Sequence, residues 1–200
     1  MKKFTALCLL ILTAGIASAE NMYTVTGTST SAAAYGDAAI TFQVTTAIEV
    51  TELSFFGESM GGGDTPWVQL WNVDTVDNLA SVSWDAGAAT AGWNDKALPT
   101  AVTLTPGVTY QLQSHAYWIP RYTNSSAFTF ASEITGTSFQ HDRTWYNWAP
   151  LNAPASSATT ITENLPAMMN LSYSVIPEPS SILMTLMGFS IIGFSLRRRK

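Results

Sequence analysis

Residues 101–112 read A-V-T-L-T-P-G-V-T-Y-Q-L, and their pattern decides the fold. Val102 and Leu104 alternate with threonines, and Val108, Tyr110 and Leu112 alternate with Thr109 and Gln111, the two-residue period of half-buried strands. Between them, Thr105-Pro106-Gly107-Val108 fits a type II turn: proline presets φ at the second position and glycine takes the positive φ required at the third. The pattern fits either a hairpin or an arch from one sheet to another.

Upstream the same period recurs. Ile40, Phe42 and Val44 alternate with Thr41 and Gln43. Ile48 and Val50 then share one parity and Leu53 and Phe55 the other, which requires a turn, bulge or break near Thr51-Glu52. Residues 57–66 carry Gly61-Gly62-Gly63-Asp64 and no apolar period, and read as a loop. Residues 67–73 are apolar on both parities, as in a strand covered on both faces, and 74–78 read as a turn. Residues 79–84 place Ala80, Val82 and Trp84 on one face, and 85–96 read as a long loop. Residues 22–37 give an edge strand at 23–25 followed by a loop.

Downstream, residues 117–126, with Pro120, read as a loop, and Phe128 and Phe130 as a short strand. Residues 139–150 are dense in aromatics, and 153–160 read as a small, polar loop. Met169, Leu171, Tyr173 and Val175 alternate in a last strand. No segment before residue 176 has a helical period. The expected fold is all-β, a two-sheet antiparallel β-sandwich of jelly-roll type, joined to a single C-terminal transmembrane helix.

The two ends read as targeting segments. Lys2 and Lys3 precede an apolar run over 6–16, and Ala17-Ser18-Ala19 offers small residues at the positions a signal peptidase reads. Residues 1–19 are therefore a secretory signal with cleavage expected between Ala19 and Glu20, implying the Sec translocon and signal peptidase as partners. Cys8, the single cysteine, lies inside that run, so the exported part has no disulfide, metal thiolate or cysteine nucleophile. Residues 20–175 have the size of one domain. With both ends removed, three basic residues (Lys96, Arg121 and Arg143) stand against thirteen acidic ones, a net charge of −10. That balance opposes nucleic-acid binding, which needs Lys and Arg against phosphate.

At the other end, residues 176–200 read I-P-E-P-S-S-I-L-M-T-L-M-G-F-S-I-I-G-F-S-L-R-R-R-K. Pro177 and Pro179 lack an N–H and keep their neighbours extended, so Glu178 sits in a stiff tripeptide outside the helix that follows. As a helix, residues 180–196 reach about 25 Å, at the short end of a membrane span. Arg197, Arg198, Arg199 and Lys200 orient the C-terminus to the cytoplasm. Pro177-Glu178-Pro179, the apolar span and this basic end together resemble the PEP-CTERM sorting signal of Gram-negative bacteria. The resemblance implies transient anchoring in the inner membrane and cutting at or near the triplet by an exosortase-like membrane peptidase. It further implies release to the cell surface or the extracellular polysaccharide matrix.

The order Ile40-Thr41-Phe42, V-T-E-L-S-F-F-G (51–57 with Val50), V-Q-L-W-N-V, L-A-S-V and L-P-T-A-V-T-L-T-P-G-V-T-Y-Q-L is similar to a β-sandwich module of uncharacterised function in bacterial exported proteins. That resemblance covers residues 37–118 and implies a carbohydrate-binding-like fold without a ligand.

No catalytic grouping emerges. His115 falls on the parity of Gln111 and Gln113 in a strand, His141-Asp142-Arg143 reads as a solvated loop, and no G-x-S-x-G elbow exposes a serine. The expected protein is non-enzymatic, without a cofactor or metal site. Asp64, Asp74, Asp77, Asp85 and Asp95 sit in turns where carboxylates can hold a structural Ca²⁺, but ordinary Asx-turns account for them more simply. Trp93, Trp118, Trp145 and Trp148 lie in or near loops. Trp145-Tyr146-Asn147-Trp148 is the stretch best suited to stacking on a sugar ring, which defines the alternative, an exopolysaccharide-binding module. A hydrolase of matrix polymers is the third reading.

Overall fold

The computed structural model describes residues 19–26, 30–57, 65–85, 90–122, 128–142, 152–154, 159–161, 165–166 and 169–177. Among these the strands are β1 (Glu20–Asn21), β2 (Tyr23–Val25), β3 (Thr30–Val44), β4 (Ile48–Gly57), β5 (Trp67–Asn72), β6 (Asp77–Ser83) and β7 (Gly92–Leu104). They continue with β8 (Tyr110–Tyr122), β9 (Phe128–Phe130), β10 (Ile134–Asp142), β11 (Thr159–Ile161), β12 (Leu165–Pro166) and β13 (Met169–Val175). The described residues contain no helix, and none long and apolar enough to cross a membrane; the span read at 180–196 lies outside them.

One sheet has the order β1-β13-β4-β7 and the other β11-β10-β3-β8-β5-β6, with β12 beside the far end of β8; β2 and β9 form a separate pair. All pairings are antiparallel. The chain changes sheets from β3 to β4, β4 to β5, β6 to β7 and β7 to β8, and stays within the larger sheet at the β5–β6 hairpin and from β10 to β11. The turn at 105–108 is thus an arch between sheets. Gly107 has φ of 82°, as its type II position requires, and Tyr110 Oη accepts from Thr105 N at 2.8 Å to close the arch.

The alternating residues meet in one core. Ile40, Phe42, Val68, Leu70 and Leu112 of the larger sheet pack with Ile48, Val50, Leu53, Phe55, Met169, Leu171 and Tyr173 of the smaller, and every one of them is fully buried. Each such side chain contributes about 1.5–3 kcal/mol, and with no disulfide in the domain this apolar burial carries the fold.

The parity change in β4 is a bulge at Thr51. Glu52 pairs with Ser172 and Val50 with Tyr173, so Thr51 is the extra residue, and its hydroxyl donates to Ser172 O at 3.4 Å. The bulge turns Ile48, Val50, Leu53 and Phe55 to the same side.

Three loop assignments give way to strand. Residues 30–37 are the first half of β3, paired with the second half of β8 from Thr30–Arg121 to Asp37–His115. Their Ala, Ser and Gly side chains carry no apolar period, so the strand exists because β8 offers it a ladder. Residues 92–96 open β7 opposite Gly57–Leu53. β7 is a sheet edge with one face largely exposed, which leaves no apolar run to mark it. Residues 117–122 continue β8 through Pro120, which pairs with Ser31 of β3. His141 and Asp142, read as part of a solvated loop, lie in β10.

Candidate functional site

Two places stand out: the pole where the chain ends meet, and the outer face of the larger sheet. At the pole, Glu20 pairs with Tyr173 and Asn21 with Ser172, so the first strand runs antiparallel beside the last. Ser172 Oγ donates to Asn21 Oδ1 at 3.1 Å, Met22 N to Leu171 O at 2.9 Å, and the Tyr23 hydroxyl donates to Met169 O. The ladder continues one residue past β13, where Ile176 N donates to Ala47 O at 2.9 Å. Pro177, lacking an N–H, ends it. Antiparallel pairing sends the chain before Glu20 and the chain after Ile176 out of the same end of the sheet, one strand spacing of about 5 Å apart.

This pole is acidic. The Tyr173 hydroxyl donates to Glu133 Oε2 at 3.0 Å and lies 3.5 Å from Glu20 Oε2. Burial pushes the phenol well above its usual range, and the hydrogen bond and charge of Glu133 and then Glu20 push it further. Glu133 moves the other way. Burial raises it, but hydrogen bonds from the Ser132 hydroxyl, its own backbone N–H and the Tyr173 hydroxyl together outweigh that and hold it below the ordinary carboxylate value. Glu49 and Asp74 add exposed carboxylates at the same end, Asp74 Oδ2 accepting from Thr109 N at 2.9 Å. Lys96 lies away from them, its Nζ donating to Ser83 O and standing 5.9 Å from the centre of the Trp84 ring.

On the outer face of the larger sheet, Gln69 of β5 lies opposite Gln113 of β8, and Trp71 opposite Gln111. All four are at most 3 % exposed. Gln111 Nε2 donates to Gln140 Oε1 at 2.9 Å and to Thr41 Oγ1 at 3.3 Å, and Gln113 Nε2 donates to Ala153 O at 3.3 Å, so residues 152–154 cover part of this face. β5 is therefore buried on both sides, as its double parity implies. Beside it lies an open hollow of about 470 Å³ lined by Gln69, Trp71, Asp77, Asn78, Ser81 and Asn152, with Val76 at its rim. The indole N–H of Trp71 is buried there without a hydrogen-bond partner.

The expected site residues fall as follows. Ala19, Glu20 and Pro177 are at the acidic pole; Ala17, Glu178, Pro179, Arg197, Arg198, Arg199 and Lys200 lie outside the described residues, as do Trp145, Tyr146, Asn147 and Trp148. Trp93 is in β7, 39 % exposed, its ring edge-on to Phe56 at 5.3 Å and to Tyr23 at 6.4 Å. Trp118 is in β8. The backbones of His115 and His141 belong to the larger sheet, paired with Asp37 and Ala38 across β3. Among the described residues no three His, Cys, Asp or Glu side chains gather as metal ligands. Of the acids read in turns, Asp74 and Asp77 lie at the β5–β6 connection, where Asn72 Oδ1 accepts from Asp74 N and Thr75 N and Thr75 Oγ1 donates to Asp77 Oδ2 at 2.7 Å; Asp95 lies in β7, and Asp64 lies outside the described residues. The glutamine face was not anticipated; the Q-L-Q spacing at 111–113 places the amides on one side, but nothing in it shows that the side is covered.

The two ends of the β domain thus leave one pole side by side, with Pro177 directly after the last rung. Residues 175–200 match the model of the PEP-CTERM protein-sorting motif. The motif marks the chain as an exported protein that passes through a membrane-anchored stage and is processed by an exosortase, a membrane peptidase. No curated protein matches the chain.

Proposed function

We propose that the protein is a non-enzymatic component of the cell surface or extracellular matrix of a Gram-negative bacterium, in three parts. Residues 1–19 form a signal peptide taken by the Sec translocon and cut by signal peptidase, 20–175 a jelly-roll-type sandwich, and 176–200 a sorting signal whose apolar run spans the inner membrane as a helix. The observation that carries this reading is the sorting motif joined without a linker to the last core strand. The test is a precursor tagged after Lys200, expressed with and without an active exosortase. Loss of the tag and appearance of the domain outside the cell only with the peptidase is expected; an intact tagged protein in the inner membrane of the competent strain overturns the reading.

A second reading, binding of exopolysaccharide, is favoured by the hollow on the larger sheet. The side chains of Asn78, Asn152, Ser81 and Asp77 that line it are donors and acceptors suited to sugar hydroxyls, and none of its described lining residues is a cation that would recruit phosphate. Binding of the released protein to host exopolysaccharide that falls on Asn78→Ala supports the hollow; a fall on Trp145→Ala alone moves the site to the loop aromatics; no binding removes the reading.

A further inference from the structure

We infer that the sandwich gates its own processing: the bond from Ile176 N–H to Ala47 O, and the interior position of β13, hold the chain in the fold up to the start of the sorting triplet and set how fast the peptidase engages it. The inference rests on processing by the exosortase that the motif indicates.

A peptidase that binds its substrate as an extended strand needs free backbone donors and acceptors. Those of β13 are already committed. Val175 pairs with Ile48 and Ile176 N donates to Ala47 O, while β1 covers Ser172 and Tyr173 on the other side. Drawing more chain into the peptidase would strip β13 from between β1 and β4 and expose Met169, Leu171 and Tyr173, all fully buried. The substrate therefore begins at Pro177. From there to the apolar run at residue 182, the chain spans about 20 Å even when fully extended. The acidic pole, with Glu20 and Glu49 exposed and Glu133 nearby, is the end of the domain from which Pro177 leaves. The short length of chain after Pro177 keeps the peptidase close to the body of the domain, and release of the last rung lengthens the accessible peptide. Ile176 is thus a positioning residue, acting through its main-chain N–H. In the cut itself water adds to the acyl carbon of a bond beyond Ile176, the C–N bond breaks, and the tail leaves as a free amine.

The experiment follows the full-length precursor by pulse-chase in an exosortase-competent strain, with the mass of the released product measured intact. A ten-residue Gly-Ser spacer between Ile176 and Pro177 is expected to speed processing several-fold. Ile176→Pro, which removes the rung but no core side chain, should speed it about two- to tenfold, the range a single net hydrogen bond allows, and Ile176→Val should leave it unchanged. The wild-type product should end at Pro177 or later. Unchanged or slower processing of both the spacer and Ile176→Pro forms overturns the gate, as does a main product ending before Ile176. A wild-type precursor that is never cut overturns the exosortase reading as well, which separates the two failures.

Discussion

Tyr173 and Glu20 are cross-strand partners at the junction of the first and last strands, with Glu20 Oε2 3.5 Å and Glu133 Oε2 3.0 Å from one phenol oxygen. A single hydroxyl thus ties the first strand, the 131–134 turn and the strand leading to the sorting motif.

That arrangement makes stability pH-dependent at both ends of the scale. Tyr173 has its folded-state pKa raised, by burial first and then by Glu133 and Glu20, so its contribution is fully present below about pH 10 and lost as pH rises beyond it. Glu133 is depressed, so its contribution is present at neutral pH and fades as pH falls through the carboxylate range. Tyr173→Phe should cost about 1 kcal/mol at pH 7 and flatten the loss of stability between about pH 9 and 11. Urea unfolding at three pH values measures both effects.

Val76 is expected to be a point of removable strain. It is a β-branched residue with φ of 60°, 55 % exposed, in the turn from β5 to β6. The left-handed region costs an L-residue about 1–2 kcal/mol, while glycine adds under about 1 kcal/mol of unfolded-state entropy. Val76→Gly should raise stability by about 0.5–1 kcal/mol, or about 2 °C in Tm, by thermal unfolding. A lower Tm would show that the Val76 side chain makes a contact worth more than its backbone strain.

Gly107 tests the arch. At φ of 82° a Cβ meets nothing within 4 Å, so Gly107→Ala isolates backbone strain from crowding. A loss of about 1 kcal/mol is expected, with unchanged secondary structure by circular dichroism. Because the turn joins two sheets, a shift of its geometry should also reduce protection of the Tyr110 and Leu112 amides in hydrogen exchange.

The sequence carried the all-β class, the arch residues, the Thr51 bulge and the last strand because each is written in apolar parity or in a turn residue with one geometric use. It hid the opening residues 92–96 of β7, and the first half of β3, for a shared reason. An exposed edge strand such as β7 needs no apolar run, and the Ala- and Ser-rich half of β3 owes its conformation to β8, far along the chain. The pole was legible as two address segments, each from its own composition. Their adjacency was not, since the Glu20–Tyr173 pairing joins residues at opposite ends of the domain. The outer sheet face was half legible: Trp67 and Trp71 on one parity, with Val68 and Leu70 on the other, announced burial on both sides of β5, while the amide row of Gln69, Gln111 and Gln113 reads as surface until residues 152–154 are laid over it.

Leu171 separates a closing strand that completes the core from one that merely trails it. Its side chain is fully buried in β13, between β1 and β4, with Leu53 as its cross-strand partner. Truncation removes buried methyl groups and leaves a cavity that both sheets must tolerate, so Leu171→Ala should cost about 2–5 kcal/mol. Trp93→Ala, on the exposed edge, should cost less despite its larger side chain, because much of that ring already meets water. If chemical denaturation ranked the two the other way round, the core would lie nearer the β2–β9 aromatics than the sheet interface. Leu171→Ala should also lower the yield of exported protein, since a domain without disulfides has only that core to hold β13 in place once the chain leaves the membrane.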